Sequence, residues 1–399
     1  MTNPDLPIGR RVARLRARRG MTQQMLADQL GKSKSWVDKV ERGIRTLDRF
    51  SVIAEVAAVL RVDPPLLLGR PTPPATTTAT TVAAGVDGVR AALARYHPTP
   101  AEPGSQVPSA RELDGRIGHA WSAYEHADYP RLLRSLPDLL GDAQRIHAAD
   151  ADDRAARLPL VQAYRITASV LVKLGEADLG WLVADRAMTV AAGDAPLAAL
   201  AALPLGQALR ALGRPPLALA VTVPAAHRLA DHRPADQATQ ALRGALLVEA
   251  AHAAAGCADL GGVRELLDQA AGAADRVSAD DAYRTGFGAT AVALARVATA
   301  VELGEGQEAV TRHAAVLASA QWRRLPAEHR AAYLLDAARA YLLVGDPLRA
   351  GRALVQADRI APAEVRLRPA ARTVIVALAR SGPVPADVAA LATAVGIGC

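Results

Sequence analysis

Short apolar patterns with helical spacing follow one another along the start of the chain. Ile8, Val12 and Leu15 are separated by four and three positions, so they share one face of a first helix. Thr22 and Ser33 each precede a further helical pattern and are residue types that cap helix N-termini. The pattern therefore predicts three short helices in succession.

Two more helices are predicted before residue 70. An apolar segment over residues 50–60 ends just before Pro64 and Pro65, which cannot continue a helix. Residues 66–69, three leucines and a glycine, predict a short closing helix. The N-terminal segment is thus expected to be a small domain of five helices.

The spacing within the second and third helices is the most informative feature of the sequence. Counting from Gln23, Ala27 is the fifth residue, Gly31 the ninth, and Val37 and Val40 the fifteenth and eighteenth. A small side chain lets two helices approach, glycine takes the left-handed turn, and the valines seal the second helix. Helices joined in this way leave the second one projecting, where it can enter a DNA major groove.

This arrangement resembles the Cro/repressor class of helix-turn-helix domains, the XRE family, over about the first 70 residues. The resemblance implies that the third helix reads base edges with side chains at its start and one turn later. These base-reading residues are Ser33, Lys34, Ser35 and Lys39. The alternatives are a solvated helix surface and, for the whole motif, an ordinary helical hairpin in an unrelated bundle.

Contacts to the DNA backbone are expected around the same helices. Gln23, at the start of the second helix, and Arg42 and Arg45, after the third, are predicted to bind phosphates. Arg49 is expected near the backbone or the minor groove. For Trp36 three interpretations remain: it packs on a DNA sugar, belongs to the protein core, or covers neighbouring arginines.

By the same resemblance, Arg16 pairs with Glu41 between the first and third helices. A fork between a guanidinium and a carboxylate would fix the angle at which the reading helix projects. The rival interpretation is that both side chains are exposed and that Arg16 contacts DNA.

Positive charge is concentrated in this N-terminal segment. Residues 1–70 hold 14 of the 47 Lys and Arg residues but only 7 of the 40 Asp and Glu residues, a net charge of +7. Residues 71–399 hold 33 residues of each sign and are neutral overall. Because cations displace counterions from phosphates, this distribution favours nucleic-acid binding at the N-terminal segment.

Other classes of function find little support in the sequence. Two cysteines are too few for a zinc framework, the nine histidines are scattered, and no catalytic constellation or nucleotide-binding glycine loop is present. We therefore expect no metal, no cofactor and no enzymatic activity. The best uncharged helical candidate, residues 195–209, is interrupted by two prolines, so we expect no membrane span and a cytoplasmic location.

Residues 71–110 are rich in proline and threonine and are predicted to be a linker between residues 1–70 and residues 111–399. Within the linker, residues 86–96 could form one short helix. The remainder of the chain shows helical patterns without strands.

A turn recurs between these helical patterns, at intervals of 38 to 48 residues. The turns are Ala127-Asp128, Gly175-Glu176, Gly213-Arg214, Gly256-Cys257, Gly304-Glu305 and Gly345-Asp346. Five residues after most turns, a small residue would let the second helix of a pair press against the first. These small residues are Gly180, Ala218, Gly261, Ala309 and Ala350, whereas Leu132 follows the first turn.

The last of these units, with Tyr341, Gly345 and Pro362, resembles a tetratricopeptide repeat, and so does the first, with Trp121 and Tyr124. Every interval exceeds the usual ~34 residues, which favours a tetratricopeptide-like α-solenoid with lengthened helices or loops. An Ala-rich helical bundle of another type is the competing interpretation. Both make the chain all-α.

A Cro-like domain followed by such repeats resembles, in domain order, the peptide-responsive regulators of Gram-positive bacteria. Those proteins often bind peptide backbone through asparagine, yet Asn3 is the only asparagine here. The sequence therefore predicts a homodimeric, sequence-specific DNA-binding regulator of transcription. Its repeat domain is expected to mediate dimerisation and to bind a peptide, protein or small-molecule effector on the concave face. The alternatives are an adaptor whose N-terminal module no longer binds DNA, and a repeat domain that serves dimerisation or protein docking alone.

Overall fold

The computed structural model describes residues 7–47, 50–60, 77–95, 108–231, 236–277, 281–382 and 385–397. These residues form α-helices and one 3₁₀-helix, with no strand among them, so the predicted all-α fold is confirmed. The chain divides into two compact units, Met1–Thr78 and Ala79–Cys399.

Four helices are described in the first unit. They are α1 (Ile8–Arg18), α2 (Gln23–Gln29), α3 (Lys34–Glu41) and α4 (Phe50–Val59). Their inward faces form one apolar cluster in which Leu26, Val37 and Leu60 are almost fully buried. Burying each of these side chains contributes on the order of 2 kcal/mol. The predicted fifth helix, residues 66–69, lies outside the described residues.

The second unit is an array of helices. They are α5 (Thr77–Leu93), whose first two residues fall in the first unit, α6 (Ala110–Glu125), α7 (Tyr129–Ala149), α8 (Arg154–Lys173), α9 (Ala177–Val190), α10 (Ala195–Ala211), α11 (Pro215–Asp231), α12 (Gln237–Gly256), α13 (Leu260–Ala274), α14 (Ala289–Glu302), α15 (Gly306–Ala318), a 3₁₀-helix (Ala320–Arg324), α16 (Ala327–Leu343), α17 (Pro347–Ile360), α18 (Pro362–Arg366), α19 (Pro369–Arg380) and α20 (Ala386–Ala394). From α6 to α17 the helices form six pairs in chain order, each joined by one of the recurring turns.

The turns contain a residue in the left-handed conformation, which is usually glycine. Gly175, Gly213, Gly304 and Gly345 have φ between 70° and 87°. The turn predicted at residues 256–257 is shifted, because α12 continues through residue 256 and the left-handed residue is Ala258, with φ of 58°. Glycine carries no side-chain penalty in this conformation, which made these four turns visible in the sequence, whereas the first turn has Ala127 in this conformation, with φ of 57°.

The small residues after the turns pack as predicted at four positions. A Cβ at Gly180 would lie 2.9 Å from Val172 on the preceding helix. The other three are the fully buried Ala218, Ala309 and Ala350. The prediction for Gly261 is wrong: this residue is exposed, because the shifted turn brings Val263 to the buried position instead.

The predicted linker over residues 71–110 is also revised. Residues 77–93 form α5, which is longer than the expected helix at residues 86–96 and belongs to the second unit. Val86, Val89 and Leu93 are spaced to share one helix face, and this face is buried in the core of the second unit. The boundary between the two units therefore falls at residue 78.

The first helices of the six pairs contact one another in series. This series is α6, α8, α10, α12, α14 and α16, and α16 also contacts α6. The first helices of the second unit thus form a closed series, because the first and the last of them also touch, whereas the ends of many solenoids of paired helices stay apart.

A buried polar cluster lies where the beginning and the end of the array meet. The ammonium group of Lys173 forms ion pairs with Glu328 and with Glu364, 3.0 Å from Oε1 of the latter, and the Tyr129 hydroxyl also donates to Glu364. Burial alone would raise the pKa of Glu328, but the charges of His329 and Lys173 outweigh it and hold that pKa well below its usual value. The charged contacts hold α8 to α16 and α18.

Three further properties concern the described residues only. None of the described helices is long and apolar enough to cross a membrane. No group of three His, Cys, Asp or Glu side chains in the described ranges is placed to hold a metal ion. Cys257 is a free, exposed thiol.

Candidate nucleic-acid interface

The turn between α2 and α3 has the geometry that the sequence predicts. Ala27 is fully buried at the point where the two helices approach, and Gly31 takes the left-handed turn with φ of 61°. Thr22 accepts a hydrogen bond from the Met25 amide, and Ser33 accepts one from the Trp36 amide, each over 3.1 Å. Both predicted N-caps are therefore confirmed, and α2 and α3 begin at fixed residues.

A close contact between α1 and α3 sets the position of the third helix. A Cβ placed on Gly9 would lie 1.9 Å from the main-chain oxygen of Val40. Because no side chain fits in this space, glycine is required for α1 to lie directly on the end of α3. The sequence interpretation missed this residue, because the atom that requires a glycine belongs to another helix.

The structure brings Arg16 and Glu41 together between α1 and α3. Nε of Arg16 lies 2.6 Å from Oε1 of Glu41, and Nη2 lies 3.0 Å from Oε2. Nη1 donates to the main-chain oxygen of Met21 over 2.7 Å. The hydrogen bond to Glu41 is the largest of the effects that raise the pKa of the Arg16 guanidinium above its usual value.

Gln23 joins this pair from the first turn of α2. Its Nε2 donates to Oε2 of Glu41 over 2.8 Å. The carboxylate of Glu41 is buried and links α1, α2 and α3 through hydrogen bonds to charged and amide donors. This network holds the angle of α3 relative to the other helices, and it gives Gln23 a structural role that the sequence did not indicate.

The residues predicted to read bases lie together on α3 and at its N-cap. Ser33, Lys34, Ser35 and Lys39 are all exposed, whereas Val37 on the other side of the helix is buried. Since Ser33 uses its hydroxyl oxygen to cap the helix, its hydroxyl hydrogen is still available as a donor. The exposed face of α3 thus carries two lysines and two hydroxyl groups.

The residues predicted to bind the DNA backbone have different surroundings. Arg42 and Arg45 are exposed after α3, and Arg42 makes a loose contact of 3.5 Å with Asp38. Arg49 lies outside the described residues. Trp36 is partly buried and packs against the apolar cluster of the domain.

Comparison with known proteins agrees with this geometry for the first unit. Residues 7–68 match the family model of the helix-turn-helix domain. No curated protein matches the chain. Among solved structures, Bacillus thuringiensis PlcR in complex with the peptide PapR7 and DNA is similar at 11% sequence identity, over 67% of this chain and 94% of that chain. The TM-score of 0.29 is too low to describe a common arrangement of the two chains. Residues 7–68 are a helix-turn-helix domain by sequence, and the described α2 and α3 have the geometry of the motif.

Proposed function

We propose that this chain, with a helix-turn-helix domain at residues 7–68, is a sequence-specific DNA-binding regulator of transcription. The observation that carries the proposal is the exposed polar and basic face of α3, held at a fixed angle by Gly9 and by the Arg16–Glu41 pair. An exposed helix of this kind fits the major groove, where lysine and hydroxyl groups can donate to base edges. In this proposal the base readers are Ser33, Lys34, Ser35 and Lys39.

The proposed backbone contacts surround this face. Arg42 and Arg45 would donate to phosphates beside the groove. Gln23 would use the amide hydrogen that is not directed at Glu41. Arg49 stays a prediction from the sequence. Such contacts position the domain on DNA and supply affinity that depends on salt, but they carry no sequence information directly.

The second unit is proposed to mediate dimerisation and to bind an effector. One helix-turn-helix module covers only a few base pairs, which is too little to select a genomic site. Two modules that lie about one DNA turn apart read a two-fold symmetric site. An effector that prefers one arrangement of the dimer would then change its affinity for DNA.

Selection of bound duplexes from a random pool by the full chain tests the proposal. The expected result is one enriched two-fold symmetric motif, and the absence of enrichment would overturn the proposal in favour of an adaptor that does not bind DNA.

Lys34→Ala should weaken binding to that motif by ~1–3 kcal/mol and relax the preference at one base pair. Arg42→Ala should instead lower the slope of affinity against salt by about one and weaken specific and random DNA alike. Arg264→Ala, which removes an exposed arginine of the second unit, is the matched control for lost charge.

A further inference from the structure

A groove runs between the second helices of the fourth and fifth pairs, α13 and α15. Residues of α14 and of the end of α16 also line it, and its volume is about 670 Å³. Because second helices form two of its sides, the groove lies beside the closed series of first helices and not within it. Cavities of this size are typical of sites for small molecules.

Much of the surface of this groove is apolar. Val263 and Leu267 of α13 and Ala300 of α14 are buried side chains in its lining. Three further lining residues are large, apolar and exposed to water: Leu260, Leu343 and Val344. Exposed apolar surface that is gathered in a concave site is typical of binding to an apolar group of a ligand.

Contacts among the helices fix the walls of the groove. Arg296 of α14 pairs with Asp268 of α13, with 2.8 Å between Nη2 and Oδ1. Nη1 of Arg312, on α15, donates to the main-chain oxygen of Arg296 over 3.2 Å. A Cβ on Gly306, at the start of α15, would lie 2.7 Å from Cβ of Leu343, so glycine lets α15 lie this close to the end of α16. The groove is therefore formed without a ligand.

The charged residues of the lining are not all used in this way. Three arginines and two glutamates line the groove, which leaves one positive charge in excess. Arg312 pairs with Glu308, and Arg296 holds α13 as described. Arg264 of α13 is exposed and has no ion pair or hydrogen bond with another described residue, and Glu305 has no ion pair among them. Arg264 thus keeps its whole fork of donors available for an anionic group.

We infer that this groove binds a single-chain amphiphile with an anionic head group, such as the carboxylate of a fatty acid. The apolar chain lies along Leu260 and Leu343, and Arg264 binds the head group. A small anion would leave the apolar lining in water, and a neutral apolar molecule would leave Arg264 unused. The inference rests on the proposed effector role of the second unit, because it names the chemical class of the effector and its site.

Titration calorimetry of the full chain with octanoate, decanoate and dodecanoate, below the concentrations at which they form micelles, tests the inference. One molecule should bind per chain, and the affinity should rise about two- to fourfold with each added methylene, because each methylene leaves water. An affinity that does not depend on chain length, or many molecules bound per chain, overturns the inference. A groove covered by a second copy of the chain would bind dodecanoate less tightly as the protein concentration rises, and that result also overturns it.

Substitution of the two lining charges without ion-pair partners should have opposite effects. Arg264→Gln should lower the affinity for dodecanoate about tenfold, because the partner of the head group is lost. Glu305→Gln should raise the affinity, because this carboxylate repels the head group. The matched control is Arg228→Gln, which removes an exposed arginine of α11 outside the groove. Equal effects of Arg228→Gln and Arg264→Gln would contradict the inference.

Leucine variants test the apolar part of the site. Leu260→Asn should weaken the binding of dodecanoate more than that of octanoate, because the longer chain covers more of the lining. The matched control is Leu217→Asn, since Leu217 is an exposed leucine in the first turn of α11 and lies outside the groove. Both leucines are exposed, so the variants should fold, and circular dichroism checks this. Equal losses in the two variants would contradict the inference.

Binding to DNA is measured in the same samples. Binding of dodecanoate without DNA binding leaves the inference standing and removes the proposed function, and the opposite result does the reverse. Where both bind, saturating dodecanoate should change the affinity for the selected duplex by at least about fivefold, and Arg264→Gln should abolish this change. An unchanged affinity for DNA at saturating dodecanoate would overturn the effector role of the groove.

Discussion

Glu41 holds three helices of the helix-turn-helix domain through one buried carboxylate. Its partners, Arg16 and Gln23, come from α1 and α2, so the orientation of α3 depends on contacts that are distant in sequence. The contact between Arg42 and Asp38, by comparison, lies on the surface and within one helix. The two ion pairs therefore differ in their expected contribution to stability, because an exposed pair is screened by water and a buried one is not.

Replacing Glu41 by Gln should destabilise the first unit by about 2–3 kcal/mol. The substitution keeps the shape but leaves the Arg16 guanidinium, which is only 16% exposed, without its counter-charge. Faster amide hydrogen exchange in α1 and α3 would report the loss. The control Asp38→Asn removes the exposed carboxylate and should change exchange little. Equal effects of the two substitutions would contradict this account.

His252 on α12 predicts how the second unit responds to acid. Burial, followed by the charge of Arg210, lowers the pKa of His252 from 6.5 to about 3. Between these values the unfolded chain binds a proton that the folded chain does not. Stability should therefore fall as the pH drops below 6.5, by about 2 kcal/mol near pH 4.5. Urea unfolding at a series of pH values gives the free energy of unfolding of the natural chain and of His252→Gln. The two pH profiles should diverge in this window, and parallel profiles would exclude His252 as the cause.

At the scale of helices, close approach depends on glycines whose neighbours come from another element. Gly9 lets α1 lie on the main chain of α3, and Gly180 lets α9 lie on α8. By contrast, Gly115 on α6 has no atom within 4 Å of the place of a Cβ. Sequence alone cannot separate these glycines, because the difference lies in the neighbouring helix.

Gly9→Ala should displace α1 from α3 and weaken DNA binding through the angle of the reading helix. The added Cβ meets the rigid main-chain oxygen of Val40, so the cost should be about 2 kcal/mol or more. The control Gly115→Ala should be neutral or slightly stabilising, because alanine favours helices and space is available. Unchanged affinity of Gly9→Ala for the selected DNA motif would contradict this prediction.

The sequence predicted the elements that depend on local chemistry. Thr22, Ser33 and Gly31 were identifiable because caps and left-handed turns require particular residue types at particular positions. The turn at Ala258 was misplaced by two residues, because the nearby glycine, Gly256, is the last residue of α12 and not the left-handed residue of the turn. The contact of Gly9 with α3 and the groove between α13 and α15 depend on partners far along the chain, which periodicity does not reveal.

At the scale of the whole molecule, the functional proposal requires two copies of the chain. In the proposal, one domain offers four reading side chains on α3 and at its N-cap, whereas recognition of a genomic site needs more base pairs than these can reach. The first unit carries the net positive charge of the sequence, and the remainder is neutral. Dimerisation would therefore double the cationic protein surface that faces DNA, while the remainder of each chain stays neutral.

The full chain should bind a two-fold symmetric duplex with two copies per duplex. A duplex with only one half-site should bind far more weakly, because the second module then finds no specific contact. Sedimentation with labelled DNA measures both the stoichiometry and the affinity. One copy per duplex at saturation, with equal affinity for the half-site, would exclude the dimer.

The contact between α16 and α6 has a consequence for how this array can change during evolution. An open array of paired helices grows or shrinks by whole units, because each pair touches only its neighbours and the ends are free. Here the sixth pair lies against the first, and Lys173 of the second pair forms ion pairs with Glu328 of the sixth pair and with Glu364 of α18. Inserting or deleting one pair would separate these charges and expose them without partners. Descendants of this chain should therefore keep six pairs and vary instead in the connections between them.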